Sequence, residues 1–195
     1  MNGCPFSVRR SMLQETLAKR ILTRPQELQK RPRPMTEFAG LAHLFRFQHN
    51  MLALATEGYT ERHWRFQPEL GGNPAYWLLG HITVYRLRIR QLLGETVDLP
   101  EAWREQFDRG TSPSQETAMV PAPEVLQESF RASGEALGNL LCTLTQEQAQ
   151  ADLGKKLPDG STTLGGAAHF LYLHESLHLG HLQYLRRIQG LAGIR

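Results

Sequence analysis

The sequence predicts an all-α protein built as a four-helix bundle, on three observations. Four long stretches repeat apolar residues at helical spacing. Each is punctuated by a proline or capping residue before it and a glycine or turn after it. No stretch alternates apolar and polar residues as a half-buried strand would. The chain has 195 residues, 41% hydrophobic and 21% charged, which suits one globular domain with a core of its own.

The elements follow in order. Thr36 is placed to cap a first helix running to about Glu57, with Gly58 at its end. Its stripe is Phe38, Leu41, Leu44 or Phe45, Gln48, Leu52 and Ala55. Residues 59–73 read as a connection with Pro68, Gly71 and Gly72. Asn73-Pro74 reads as an N-cap followed by proline at the first helical position, opening a helix from Pro74 to Leu93 that stops at Gly94. The long connection 95–122 carries a short helix over Glu101–Phe107. Pro123 starts a third long helix through about Leu144, and residues 145–151 add a further turn or two. Gly154, Pro158 and Asp159-Gly160 mark a turn region. Ser161 or Thr162 then caps a last helix reaching about Gln189, with Gly190 after it.

Charge divides the chain. Residues 1–34 carry eight Lys/Arg against Glu15 and Glu27, a net +6, and the remaining 161 carry 14 basic and 17 acidic groups, a net −3. Residues 1–34 thus read as a basic leader and residues 35–195 as the bundle. Arg31-Pro32-Arg33-Pro34 breaks any helix between them. Two readings of the leader stand: a tail ahead of an alternative start at Met35, or a short helix over about 9–22 carried by Met12, Leu13, Leu17, Ile21 and Leu22. It has no apolar core of a secretory signal.

Several function classes fall away. A slightly acidic body gives no electrostatic footprint for nucleic acid. No run approaches the ~18 apolar residues of a membrane-spanning helix. Cys4 and Cys142 show neither a disulfide framework nor a metal-ligand spacing, which suits a reducing, cytoplasmic setting.

The histidines carry the chemistry. There are eight, and His169, His174, His178 and His181 fall within thirteen residues. At ~100° per residue, His174 and His178 lie about 40° apart, and His181 about 20° from His174. These three share a stripe with Phe170, Leu171, Leu185 and Ile188, read here as the buried face of the last helix, while His169 points away. Buried imidazoles are costly unless their nitrogens find partners, and a divalent metal satisfies several at once. His181 lies ~10 Å along the axis from His174, so a ligand from a neighbouring helix is easier. His81, between Trp77 and Tyr85 at i−4 and i+4, is the best candidate. His43, His49 and His63 read as structural or solvated.

His174-Glu175-Ser176-Leu177-His178 also matches H-E-x-x-H, in which the Glu serves as base for a zinc-bound water. Only 17 residues follow His178 and none is acidic, so the usual downstream third ligand is missing. His181 and Tyr184 also break the extended form of the motif. Arg86, Arg88 and Arg90 on the second helix, with Arg186-Arg187, either bind an acidic thiol or form a solvated helix face, and the second reading is favoured.

Three segments resemble the DinB/YfiT-like metalloenzymes of the DinB superfamily. They are Trp64-Arg65-Phe66-Gln67-Pro68, the run Asn73-Pro74-Ala75-Tyr76-Trp77-Leu78-Leu79-Gly80-His81-Ile82, and Thr163-Leu164-Gly165 through His174-Glu175-Ser176-Leu177-His178-Leu179-Gly180-His181-Leu182. The resemblance covers about residues 36–190 and implies a DinB/YfiT-like four-helix bundle. It implies that His81, His174 and His178 ligate a divalent metal, usually zinc or nickel. The family often has Gln where this chain has His181. That residue therefore stands as a further ligand, a group behind the ligands, or a replacement for the glutamine. Relatives include thiol S-transferases of the bacillithiol type, so the resemblance implies a low-molecular-weight thiol as cofactor, a small electrophile as substrate, and a homodimer. The alternatives are a non-catalytic metal-binding or association bundle and, further off, an H-E-x-x-H zinc hydrolase.

Overall fold

The computed structural model describes residues 37–68, 71–113 and 120–194. Seven helices appear among them: α1 (Glu37–Thr56), α2 (Glu61–Arg65), α3 (Ala75–Leu92), α4 (Glu101–Phe107), α5 (Pro123–Thr143), α6 (Gln146–Ala149) and α7 (Leu164–Ile188). Among the described residues there is no strand, only an isolated antiparallel bridge between Asp152 and Thr163. No described helix is long and apolar enough to cross a membrane.

The long helices α1, α3, α5 and α7 form the four-helix bundle. Both α1 and α3 pack against both α5 and α7, so α1 lies diagonal to α3, and α5 to α7. Consecutive long helices across the first and third connections are therefore not neighbours. Short loops join adjacent helices; a diagonal step needs more chain, and all three connections are long here. They carry the small helices α2, α4 and α6.

Two apolar clusters fill the interior. One gathers Trp77, Leu79, Ile82, Phe107, Phe130 and Leu182, and the other Phe38, Phe45, Leu137, Leu141 and Leu171. Phe45 is the fully buried member of the Leu44/Phe45 choice, and Leu44 is 39% exposed. The close approach of α4 to α3 depends on Gly80, because a Cβ there would collide with the Phe107 ring.

The helix ends differ from expectation at three places. Pro74 is the cap of α3, and Ala75 the first helical residue. Neither Ser161 nor Thr162 caps α7; Thr163 does, its Oγ1 accepting from Gly166 N–H at 3.1 Å. Ser161 and Thr162 are committed elsewhere, their carbonyls accepting from Leu157 and Leu153 N–H, both at 2.8 Å. Helix α2 stands where the sequence predicts a plain connection. Its five residues are too few to show a period, and its local signal is a capping box in which His63 Nδ1 accepts from Thr60 N–H. The proposed cap Thr36, Cys4 and the whole leader lie outside the described residues.

Candidate metal centre

His81 sits mid-way along α3, buried, with Trp77 stacked on it at 4.7 Å between ring centroids and Tyr85 on the other side at 4.7 Å. Its Nδ1–H donates to the Phe107 carbonyl at 2.6 Å. That bond assigns the tautomer and leaves a lone pair on Nε2. The short helix α4, seated over Gly80, therefore aims the ring.

On α7, His174 and His178 lie one turn apart and face α3. His174 Nε2 is 3.1 Å from His81 Nε2 and 3.1 Å from His178 Nε2. One nitrogen from each of the three rings falls within a common 4.8 Å, a set that could hold a metal ion. Hydrogen bonds alone do not satisfy this arrangement well. The His81 Nε2 has no proton, and a proton on His174 can bridge to only one neighbour. The Nδ1 atoms of His174 and His178 are buried without a partner. A cation accepting three converging lone pairs is the charge the site lacks, and imidazole nitrogens suit zinc or nickel.

Burial holds all three rings in their neutral, metal-ready form. It lowers the His81 pKa, and it pushes His174 down to about 4 and His178 to about 3, helped by the neighbouring imidazoles. The three line a cavity of about 680 Å³ with Trp77, Tyr85 and Phe170.

The remaining histidines stay apart from this trio. His181 is exposed, its ring 5.6 Å from that of His178. His169 points away as expected, its Nε2 3.0 Å from the Glu37 carboxylate. His49 packs against Phe130, His63 caps α2 and His43 is exposed.

The expected buried face of α7 is corrected. The face that enters the core runs through Ala168, Leu171, Glu175, Leu179, Leu182 and Arg186, while His174 and His178 are half-buried at its flank and Ile188 is exposed. The offset is about one residue's rotation, ~100°. A charged residue at the centre of the face, Glu175, disguised it.

Glu175 is fully buried and turned away from the histidines. Its Oε2 accepts from Arg86 Nε at 2.6 Å and its Oε1 from Arg86 Nη2. Burial pushes its pKa up, and the Arg86 guanidinium opposes that push. Arg86 also donates to the carbonyls of Phe130 on α5, at 2.7 Å, and Phe45 on α1, at 3.2 Å. One guanidinium thus ties all four long helices. Gly134 gives it passage, since a Cβ there would meet Arg86 Nη1. The solvated-face reading of the α3 arginines is therefore wrong. Arg86 is buried, Arg88 is paired with Asp108, and Arg90 with Glu95. Arg186 is buried too, donating to the Ala192 carbonyl at 2.6 Å. Arg88 and Arg90 are half-buried beside their acidic partners, and Arg187 is exposed as the solvated-face reading expects.

Comparison with known proteins bears on the fold and the family. YfiT from Bacillus subtilis, described as a probable metal-dependent hydrolase with an unusual four-helix bundle topology, matches with a TM-score of 0.60 at 18% identity. The match covers 84% of this chain and 94% of that one, and shows the fold. No curated protein matches the chain. The family model of the DinB superfamily matches residues 44–182, more than half of the length. The chain belongs to the DinB superfamily.

Proposed function

We propose that the chain is a divalent-metal-dependent enzyme that transfers a small thiol to a small electrophile. The observation that carries the reading is the meeting of three imidazole Nε2 atoms on the wall of an open pocket. His81, His174 and His178 would hold zinc or nickel, and three protein ligands leave a position for an exogenous one. When bound, such a cation supplies Lewis acidity that lowers the pKa of a thiol arriving there. The chain's own residues do the rest. The Phe107 carbonyl fixes the His81 ring, and Trp77 and Phe170 give the pocket apolar walls beside it. Burial holds the Tyr85 phenol above its ordinary pKa, so it stays a neutral donor at the pocket wall. In the transfer, a sulfur–carbon bond forms as the carbon–leaving-group bond breaks. The leaving group departs with its electron pair, and the thiol proton passes to solvent. A homodimer in a reducing cytoplasm goes with this reading.

Hydrolysis is the second reading, favoured by the description of YfiT. It cannot use Glu175 as its base in the H-E-x-x-H manner, because that carboxylate is buried against Arg86. A non-catalytic metal site needs a fourth protein ligand to close it, and His181 is not among the converging groups.

The test is metal content of protein purified without a polyhistidine tag, followed by conjugation assays with a panel of small thiols. Up to one ion per chain is expected. It should be lost in His174→Ala and in His178→Ala, bound much more weakly in His81→Ala, and unchanged in His49→Ala or His63→Ala. Conjugation should fall in step with metal. Full metal retention in His81→Ala removes the ligand set. Metal-loaded protein that hydrolyses esters or amides but conjugates no thiol moves the assignment to hydrolysis.

A further inference from the structure

The pocket beside the histidines has one sign of charge. Its lining includes Arg88, Arg109 and Lys155 but no Asp or Glu among the described residues. The Arg88 charge is answered by Asp108, at 2.8 and 2.6 Å. Arg109 and Lys155 have no acidic partner among the described residues, although both line the cavity.

The two cations come from separate, shaped loops. Arg109 follows α4 in a turn closed by Gly110 at φ 88°, with Thr111 Oγ1 donating to the Asp108 carbonyl at 2.9 Å. Lys155 belongs to the turn before α7, which is pinned by the Leu153 N–H to Thr162 carbonyl and Leu157 N–H to Ser161 carbonyl bonds. Between the loops and the histidines the wall is apolar: Ile89, Leu157, Phe170 and Leu171. At about 680 Å³ the cavity has the size of a small-molecule site.

We propose that this pocket takes a small organic anion with an apolar body, its carboxylate or phosphate answered by Arg109 and Lys155 and its body laid along Ile89, Leu157 and Phe170. The proposal rests on reading the cavity as the substrate site and names the class of substrate that enters it. A bound metal ion would add further positive charge, so a cationic substrate is disfavoured and an anion favoured. Two cations without acidic partners at the rim of one cavity add their attraction for an anion that enters it.

The experiment is an NMR titration of the full chain with 4-phenylbutyrate, 4-phenylbutanol and acetate, in the wild type and in R109Q/K155Q. Both substituted side chains are exposed, so the fold should be kept, as circular dichroism will report. Phenylbutyrate should bind at least tenfold tighter than either the alcohol or acetate, with shifts at Phe170 and Leu157. In R109Q/K155Q its advantage over the alcohol should fall below threefold. An alcohol that binds as well as the carboxylate overturns the proposal. So does a carboxylate preference unchanged in the double variant, which would belong to the metal or to Arg88. Acetate binding as tightly as phenylbutyrate removes the apolar body. A carboxylate preference in protein that conjugates no thiol leaves this inference standing and defeats only the thiol reading.

Discussion

Glu175 follows His174 in the chain and points about 100° further round the helix. That single rotation separates two tasks in adjacent residues: the imidazoles are presented to the pocket and the carboxylate to the bundle axis. The Arg86–Glu175 pair is fully buried, so each charge depends on the other for its solvation. Glu175→Gln leaves a guanidinium unpaired among four helices, and Arg86→Met leaves a carboxylate. Each should cost about 3–5 kcal/mol of stability. The double variant Arg86→Met/Glu175→Leu should recover most of that, since no unpaired charge remains. Chemical denaturation of the three variants checks this, and a double variant no more stable than either single one would show that the pair does more than neutralise itself. Gly134→Ala should resemble the singles, because the new methyl displaces the guanidinium from the same place.

At the scale of elements, a short helix governs the aim of the site. Helix α4 delivers the Phe107 carbonyl to His81, and Gly80 lets it come close enough. Gly80→Ala should destabilise the fold by about 1–3 kcal/mol through overpacking. It should also weaken metal binding although no ligand changes, because the His81 ring loses its hydrogen-bond anchor. Calorimetric titration with zinc reads the second effect separately from melting. Unchanged affinity in a destabilised variant would mean that Phe107 supports the fold and not the ligand. Most of this architecture was legible in the sequence. Periodicity and capping marked the long helices to within a residue or two, and the His81, His174 and His178 grouping followed from spacing and resemblance. Besides the buried face of α7, three features were not legible, each for a physical reason. Helix α2 is shorter than the period that would reveal it. Thr163 prevails as the α7 cap because its neighbours' carbonyls are tied into the preceding turn. Arg86 looked solvated because the partner that neutralises it is remote in sequence: Glu175 lies 89 residues away.

At the scale of the whole molecule, the basic leader and the acidic body are separable in charge. Deleting residues 1–34 should leave a folded, metal-binding chain whose isoelectric point drops, since a net +6 leaves with the leader. Insoluble or much less stable truncated protein would place Leu13, Leu17 and Ile21 in the core after all. The histidine trio has a consequence of another kind. His81 and His174 are 93 residues apart in the chain, so an ion held between them is a removable cross-link across nearly half the polypeptide. Because the unfolded chain does not bring these imidazoles together, the ion favours the folded state by mass action, adding about 2.7 kcal/mol when free metal reaches a hundred times its dissociation constant. The melting temperature should therefore climb with each decade of free zinc and fall back under a chelator. The endurance of the fold becomes a gauge of how much metal its surroundings supply.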